Sequence, residues 1–357
     1  MKKDFKKQFD EVKVLYSIAI ALFVVGILAL IWFAYQGVAA RRARQALVTL
    51  PQEQEVGQDD DREQCKRFRY DGQCLGEGEA QPQMIAIMVE NHIEARDLSG
   101  IQEASIVYEA PVEGNITRFM ALYPADAKVE KVGPVRSARP YYLQWLSEYG
   151  NAMYMHVGGS PKALEEIEEF GIFDLNEFYH GWDYWRSEDR SAPHNVYTSS
   201  ELWNDALEQE DHEVRDFEMW KYAMPTSTCQ SDCFERVAIS YSSPYYKPVW
   251  TWDRDSNRYL RSERGNSIAY VADSVVIMYT RSTVLDEVGR LALFTKGEGL
   301  VQIFQNGNMV EGLWKKGERT DRTRFVDNKG KEIGLHPGKV WVTVVTQSTD
   351  VDYIGEQ

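Results

Sequence analysis

The chain has 357 residues, of which 43% are hydrophobic and 12% aromatic, so it can form real cores and wholesale disorder is excluded. Its formal net charge is −15, and residues 45–357 hold 32 basic and 52 acidic side chains, a net charge of −20. A surface this acidic repels nucleic acid over long range, which excludes general DNA or RNA binding. Any anion must therefore bind at a local site where a few donors converge.

The first predicted element is a transmembrane helix over residues 14–35, which begins at Val14 and ends at Tyr35. This run carries no charge and, as a helix, is long enough to cross a hydrocarbon core of about 30 Å. Five lysines precede it and three arginines follow it, and the lysines favour a cytoplasmic tail at residues 1–13. A signal peptide cleaved between Gly37 and Ala40 is the alternative, although its apolar region is ordinarily shorter.

Residues 36–83 are predicted to form a flexible spacer that carries a small hairpin. The four cysteines form two local pairs, Cys65 with Cys74 and Cys229 with Cys233. Outside the cytoplasm, local pairing predicts two disulfides. The spacings do not match those of zinc ribbons or zinc fingers.

Residues 84–225 are predicted to form an α/β domain. Apolar runs predict strands, and amphipathic runs between them predict helices. The predicted strands cover 84–89, 104–109, 118–123 and 152–157, and the predicted helices cover 140–149, 161–170 and 200–208. Before the last helix, Thr198 and Glu201 have the spacing of a capping box. Alternating strands and helices favour the α/β class.

Residues 234–348 have a different pattern. Short alternating runs, separated by turn signals, predict many strands and no helix of ten residues. The runs cover 237–241, 248–252, 258–261, 274–280, 290–295, 300–305, 308–314, 324–326 and 340–346. We therefore expect a β-rich C-terminal domain, either a barrel or a sandwich.

Seven segments of the two domains carry long, irregular motifs. They read IAIMVENH (85–92), ASIVYEAPVEGNITRFMALY (104–123), KVGPVRSARPYY (131–142), YMHVGGSPKAL (154–164), APHNVYTSSEL (192–202), GLVQIFQNGNMVEGLWKK (299–316) and RTRFVDNKGKEIGLHPGKVWVTVV (322–345). These motifs resemble the YerB-like family of bacterial envelope lipoproteins. The resemblance covers residues 84–346 and implies an α/β domain followed by a β-rich domain at the cell envelope, with no settled activity. Many relatives carry a lipid-modified cysteine, whereas this chain has a predicted transmembrane helix.

The segment VGPVRSARPYY places two arginines at a predicted helix start. Pro140 disfavours helical geometry at Arg139 and opens the helix itself, so Arg136 and Arg139 lie where the helix dipole is positive. Cations there need an anion, which is either a carboxylate or phosphate of a ligand or an internal carboxylate. The internal candidates are Glu90, Glu109 and Glu113. Both alternatives stay open.

Other residues of the same motifs complete the predicted ligand-binding site. They are Arg118, Ser137, Gly158, Gly159, Ser160 and Asn195. Ser160 is predicted to cap the helix that Pro161 opens, and the two glycines before it would let a ligand approach the backbone. Because the segment lacks phosphate-loop spacing, a tight strand-to-helix turn is the simpler interpretation.

Three histidines, His92, His156 and His194, lie in these motifs, and with Glu90, Glu109 and Glu113 they could form a metal site or a general acid–base pair. The candidate catalytic residues are Glu109, Glu113, His156 and His194. The alternative is that each histidine is a hydrogen-bonded structural residue. Neither HExxH nor another short-spaced ligand pair occurs, so we expect no metal site and no cofactor.

The run FYHGWDYWRSEDR (178–190) groups aromatic side chains around Arg186. Such platforms receive sugars or peptides in open grooves. Core packing of Trp182 and Trp185 is the alternative, and we favour it.

These patterns predict a single-pass protein of the cytoplasmic membrane, with its N-terminus inside and the bulk of the chain outside. Its α/β domain is expected to bind an anionic or amphipathic envelope component, such as a peptidoglycan fragment, where strand ends meet. One alternative is a hydrolase or transferase that acts on cell-wall glycan through a Glu/His set. The other is an envelope scaffold that recruits partner proteins.

Overall fold

The structure, a computed structural model, describes residues 68–70, 72–210, 215–224, 228–266 and 269–355. The predicted transmembrane helix at residues 14–35 lies outside these ranges. Among the described residues, no helix is long and apolar enough to cross a membrane.

The described residues form three α-helices and nineteen β-strands. The helices are α1 (Pro140–Leu146), α2 (Pro161–Phe170) and α3 (Ser200–Gln209). Strands of the first region are β1 (Met84–Glu90), β2 (Ile106–Pro111), β3 (Thr117–Pro124), β4 (Met153–His156), β5 (Phe173–Asn176), β6 (Trp185–Arg186) and β7 (Val196–Tyr197). Strands of the second region are β8 (Phe234–Ser240), β9 (Val249–Asp253), β10 (Arg258–Ser262), β11 (Tyr270–Ala272), β12 (Ser274–Tyr279), β13 (Ser282–Val284), β14 (Leu291–Leu293), β15 (Gly297–Gln305), β16 (Asn308–Lys316), β17 (Arg324–Val326), β18 (Val340–Val345) and β19 (Asp350–Gly355). The predicted mixed α/β part and β-rich part are both confirmed.

Prolines and serines set the helix starts. Pro140 opens α1, as predicted, because its fixed φ suits the first helical position and its missing N–H is not needed there. Ser160 caps α2, and its hydroxyl accepts the backbone N–H of Ala163 at 3.3 Å. The predicted cap and first residue of α2 are therefore confirmed.

The start of α3 differs from the prediction. Ser199, not Thr198, is the cap, and its hydroxyl accepts the backbone N–H of Leu202 at 3.4 Å. The hydroxyl of Thr198 instead donates to the carbonyl of Asp183 at 2.9 Å. The predicted capping box is wrong because a neighbouring segment offers Thr198 a buried acceptor.

One large sheet contains strands from both regions. Its ten strands lie in the order β17-β16-β15-β12-β18-β2-β3-β1-β4-β5. The junction is the parallel pairing of β18 with β2, in which Val340 lies opposite Ile106 and Thr343 opposite Glu109. β1, β2, β3 and β18 are buried along their whole length, as expected of strands covered on both faces.

A second sheet covers one face of this junction. Its five strands lie in the order β11-β10-β9-β8-β19. Trp341 of β18 packs between the two sheets, with ring centroids 5.2 Å from Trp250, 5.7 Å from Tyr270 and 5.2 Å from Phe119. The opposite face of the large sheet is covered by α1, whose Trp145 stacks on Tyr108 of β2.

Both predicted disulfides involve described cysteines. Cys229 and Cys233 are bonded to each other, which confirms that pair. Cys74 is also disulfide-bonded, and its predicted partner Cys65 lies outside the described residues.

The shared sheet predicts that the first region is not stable alone. Without β18, strand β2 becomes an edge strand with unpaired backbone groups and newly exposed apolar side chains. We expect residues 68–224, expressed alone, to show no cooperative thermal transition by circular dichroism, whereas residues 68–357 melt cooperatively. A sharp melt of the shorter piece at the temperature of the longer one would contradict this.

Candidate functional site

Most of the polar residues predicted as functional lie near the carboxyl-terminal ends of strands in the large sheet. β1, β2, β4 and β5 run in the same direction, so their carboxyl-terminal ends lie side by side, next to the start of the antiparallel strand β3. Glu90, Glu109 and His156 come from the strand ends, and Arg118 comes from the start of β3. Strand direction alone therefore explains why segments distant in sequence supply neighbouring side chains.

The arginines before α1 both pair with internal carboxylates. Arg136 donates from Nε to Glu90 Oε1 at 3.1 Å. Arg139 makes a bidentate pair with Glu113, with distances of 2.7 and 2.8 Å. Burial alone raises the pKa of Glu113, but the hydrogen bond and charge of Arg139 outweigh it, so the pKa lies below its usual value. Glu90 and Glu113, two of the three candidate internal carboxylates, are therefore the partners of these arginines.

Arg118 is different, because it is buried without a carboxylate partner. Its Nη1 donates to the carbonyl of Ser137 at 2.8 Å, and its Nε has no hydrogen-bond partner. No carboxylate of the described residues lies within 4.0 Å of its guanidinium, although the side chain is only 5% exposed. Burial, followed by the positive charge of Arg139, lowers the pKa of Arg118. Arg118 is therefore a desolvated cation with unused donors.

The turn between β4 and α2 supports the arginine segment through its backbone. Gly158 accepts the backbone N–H of Ala138 at 2.9 Å, and Gly159 forms a bridge with the same residue. Gly158 has a φ of +56°, and a Cβ on it would lie 2.7 Å from a ring carbon of Phe178. Side chains of the protein itself fill the space that the sequence analysis assigned to a ligand. The tight-turn interpretation fits this geometry better.

His156 is enclosed at the end of β4. Its Nδ1 lies 2.7 Å from the carbonyl oxygen of Gly158, and its Nε2 lies 2.6 Å from Asp174 Oδ1. The ring stacks on Tyr154 and is fully buried. Both ring nitrogens are thus occupied, which fits the structural alternative for this histidine.

Side chains alternate along β2, so Tyr108 points towards α1 and Glu109 points to the opposite face, which the second sheet covers. It accepts hydrogen bonds from Arg261 at 2.9 Å, Thr117 at 3.0 Å and the indole of Trp341 at 3.0 Å. Arg261 and Trp341 belong to the second region, so this buried carboxylate joins the two regions. Glu109 is committed to that network and does not reach the arginines before α1.

The Glu109 network continues into a group of charges that the sequence analysis missed. Arg261 also pairs with Glu263 at 3.1 Å, and Arg96 lies 3.2 Å from the same carboxylate. Asn91 accepts from Arg96 Nε at 3.1 Å. The two buried arginines balance the two buried glutamates. The only sequence signal is a charge inside an alternating run, as at Arg261 in β10.

His194 reaches the carboxyl-terminal strand ends from the loop between β6 and β7. Its Nδ1 lies 2.7 Å from Glu90 Oε2, and its Nε2 lies 3.4 Å from Glu94 Oε2. Its ring stacks on His92, with centroids 5.1 Å apart and an interplanar angle of 11°. Glu90 therefore links His194 to Arg136. The neighbouring Asn195 instead accepts from Arg186 Nη1 at 3.3 Å.

The aromatic run after β5 is largely exposed. Phe178, Tyr179 and Trp182 are 68%, 73% and 66% exposed, whereas Trp185 is half-buried beside Tyr197. The favoured prediction that Trp182 packs in the core is wrong, because the short turns around it provide no layer to cover it. Of the three exposed rings, that of Phe178 lies over Gly158, beside the arginine segment.

A second buried charge cluster surrounds Glu148, which follows α1. Glu148 accepts from Lys316 at 2.8 Å and from Thr323 at 2.6 Å, and Arg322 lies 3.4 Å from it. Arg322 also stacks on Trp220, 3.8 Å from the ring centre. Glu148, Lys316 and Arg322 border a cavity of about 1110 Å³. None of them belongs to the predicted site.

Comparisons with known proteins identify similar chains. The family model described as "Protein of unknown function (DUF3048) N-terminal domain" matches residues 72–213, and the one described as "Protein of unknown function (DUF3048) C-terminal domain" matches residues 237–342. "Putative lipoprotein YerB" of Bacillus subtilis (strain 168) is 30% identical over 273 residues, which are 73% of this chain and 80% of that protein. The crystal structure of YerB protein from Bacillus subtilis matches with a TM-score of 0.69 at 26% identity, over 80% of this chain and 100% of that one.

The Glu109 network gives a prediction about stability. Glu109→Ala strands the buried charge of Arg261 and the indole N–H of Trp341, so we expect it to lower the free energy of unfolding by roughly 3–5 kcal/mol. Glu298→Ala is the control, since it removes an exposed pair with Lys315 and should cost at most about 1 kcal/mol. Urea denaturation measures both. A Glu109→Ala variant as stable as the control would show that the network contributes little.

The Arg139–Glu113 pair gives a prediction about pH. Because the pKa of Glu113 is lowered in the folded state, the pair stabilises the fold above the unfolded pKa of about 4.3, and this is lost as pH falls through the folded pKa. Arg139→Gln should therefore lower the free energy of unfolding by about 1–3 kcal/mol at pH 7. The difference from the unmodified chain should shrink near pH 3.

The matched control for this pair is Arg186→Gln, which removes a more exposed pair with Glu177. It should change stability by about 0.5 kcal/mol or less at either pH. Melting curves at the two pH values test both variants. An Arg139→Gln deficit that stays constant with pH would contradict the assigned role of Glu113.

Proposed function

The chain belongs to the YerB-like two-domain DUF3048 family, and from that premise we propose that it is a membrane-anchored, extracytoplasmic protein that binds an anionic envelope component with flat apolar faces. A peptidoglycan fragment, which combines sugar rings, a peptide and free carboxylates, has this chemistry. The proposed location is supported by the charge-free run at residues 14–35, by the disulfide between Cys229 and Cys233, and by a relative that is named a lipoprotein.

The observation that carries the proposal is the unpaired guanidinium of Arg118. Burying a cation without a carboxylate in direct contact is costly, and a bound anion would remove part of that cost. Among the described residues, the ion pairs of Arg136 and Arg139 use Glu90 and Glu113, so three arginines share two carboxylate partners. A ligand carboxylate beside the guanidinium of Arg118 would supply the third.

The exposed aromatic side chains supply the second half of the site. The ring of Phe178 lies over Gly158, whose carbonyl accepts the N–H of Ala138 between the arginines. The exposed ring of Phe178 thus adjoins the arginine segment. Aromatic rings bind the apolar faces of sugars and peptides, and a nearby cation fixes the position of a charged group.

Hydrolysis or transfer on cell-wall glycan, with a glutamate and a histidine as acid and base, has weaker support. Glu109 is held by Arg261, Thr117 and Trp341, and His156 is enclosed. General acid–base catalysis needs a group within hydrogen-bond reach of a substrate. A binding role therefore fits the arrangement of these residues better than hydrolysis or transfer.

The test replaces Arg118 with methionine, which has a similar length and no charge. Arg118→Met removes a buried unpaired charge, so we expect it to keep the melting temperature within about 2 °C of the unmodified chain or raise it. Binding of a muropeptide that carries free carboxylates should weaken about ten- to a hundredfold, because a charge-assisted hydrogen bond is lost. Isothermal titration calorimetry measures the affinity.

Two controls make this result specific. Arg254→Met removes an exposed arginine that pairs with Glu235 in the second sheet, and it should leave muropeptide affinity unchanged. The same muropeptide with amidated carboxyl groups should bind the unmodified chain as weakly as the acid form binds Arg118→Met. If neither form binds the unmodified chain, or Arg118→Met binds normally, the proposal is wrong.

A further inference from the structure

The turn after β1 and the loop between β6 and β7 bring three metal-ligand side chains together. His92, Glu94 and His194 each place one donor atom within 4.8 Å of the other two. Glu94 Oε2 lies 3.4 Å from His194 Nε2 and 4.0 Å from His92 Nδ1. Donor atoms around a tetrahedral zinc ion are about 3.3 Å apart at its usual bond lengths. A small side-chain movement would bring the three donors to that spacing.

Contacts fix the orientation of both rings. Both nitrogens of His194 face carboxylates, Nδ1 the buried Glu90 at 2.7 Å and Nε2 the exposed Glu94 at 3.4 Å. With Nδ1 donating to Glu90, Nε2 is the nitrogen that a metal ion would bind. The lone pair of His92 Nδ1 points towards Glu94, where it accepts the backbone N–H at 3.3 Å, and a metal ion bound to this nitrogen would replace that long hydrogen bond. A carboxylate on the far nitrogen is the arrangement that orients metal-binding histidines in proteins.

Contacts outside the cluster hold the two segments together. Arg190, from the loop that carries His194, donates to the carbonyls of Glu94 and Asp97, each at 3.1 Å. The same loop is anchored where the N–H of Val135 donates to the carbonyl of Val196 at 2.7 Å. The backbone that carries the donors is thus tied in place, while the Glu94 side chain is 71% exposed and free to adjust.

We propose that His92, Glu94 and His194 bind a divalent transition-metal ion of the zinc class. Two imidazoles and one carboxylate are a donor set that zinc takes, and three protein ligands leave a fourth position for water or an anionic group. The expectation of no metal site rested on short-spaced motifs, whereas here the second histidine comes from a distant loop. This site goes beyond the proposed anion-binding function and does not require it.

The test uses the untagged full-length chain in detergent, stripped with EDTA and dialysed. Titration with ZnCl₂ should show one saturable site per chain, and Co²⁺ in its place should give the intense visible absorption of a four-coordinate ion. His92→Gln, Glu94→Gln and His194→Gln should each weaken zinc binding about tenfold or more. Because Glu94 is exposed, Glu94→Gln tests the site without risk to the fold.

The matched control is His180→Gln. His180 also lies near a carboxylate, with Nδ1 3.7 Å from Asp183, but it is outside the cluster, so its substitution should leave zinc affinity unchanged. Arg118→Met should also bind zinc normally, which separates a failure of this proposal from a failure of anion binding. No saturable binding, or full binding by both His92→Gln and Glu94→Gln, would overturn the proposal.

Discussion

The parallel pairing of β18 with β2 is the contact on which the rest of the structure depends. It places Trp341 and Thr343 of the second region beside Glu109 of the first, deep inside both layers. A buried carboxylate there needs a cation, and Arg261 from the second sheet supplies it at 2.9 Å. Burial works against the charge of Arg261, but Glu109 and Glu263 outweigh it and raise its pKa. The two family domains are therefore joined by strand pairing and by charge.

Much of the secondary structure could be predicted because the relevant signals are local. The run MIAIMV gives β1, and a proline after an extended residue gives the start of α1. β5 was missed because FDLN contains only two apolar residues, and β19 lies beyond the predicted end of the β-rich domain at residue 348. The shared sheet could not be predicted from one sequence, because partner choice between strands is set by contacts far apart in the chain.

The sequence predicts which residue types form the site but not which carboxylate pairs with which arginine. Arginines at a helix start need an anion, and Glu90, Glu109 and Glu113 are the candidate internal carboxylates. Alternation along β2 sends Glu109 to one face, while Glu113 lies past the strand end, where Arg139 can bind it. The sequence does not show which face the second sheet covers, so it does not separate these glutamates. Arg118 differs from Arg136 and Arg139 in having no carboxylate of the described residues in contact, a difference that the sequence alone does not show.

Glu90 connects the two proposed sites because each of its oxygens has one partner. Oε1 accepts from Arg136 at 3.1 Å, and Oε2 faces His194 at 2.7 Å. If a metal ion binds Nε2 of His194 as proposed, it makes the Nδ1–H more acidic and strengthens the hydrogen bond to Glu90. Any effect on the pairing of Glu90 with Arg136 would be reciprocal, so a change at Arg136 would act on the metal site to the same extent. The arginine cluster and the histidine cluster thus share one buried carboxylate, and coupling between the two proposed sites would act through it.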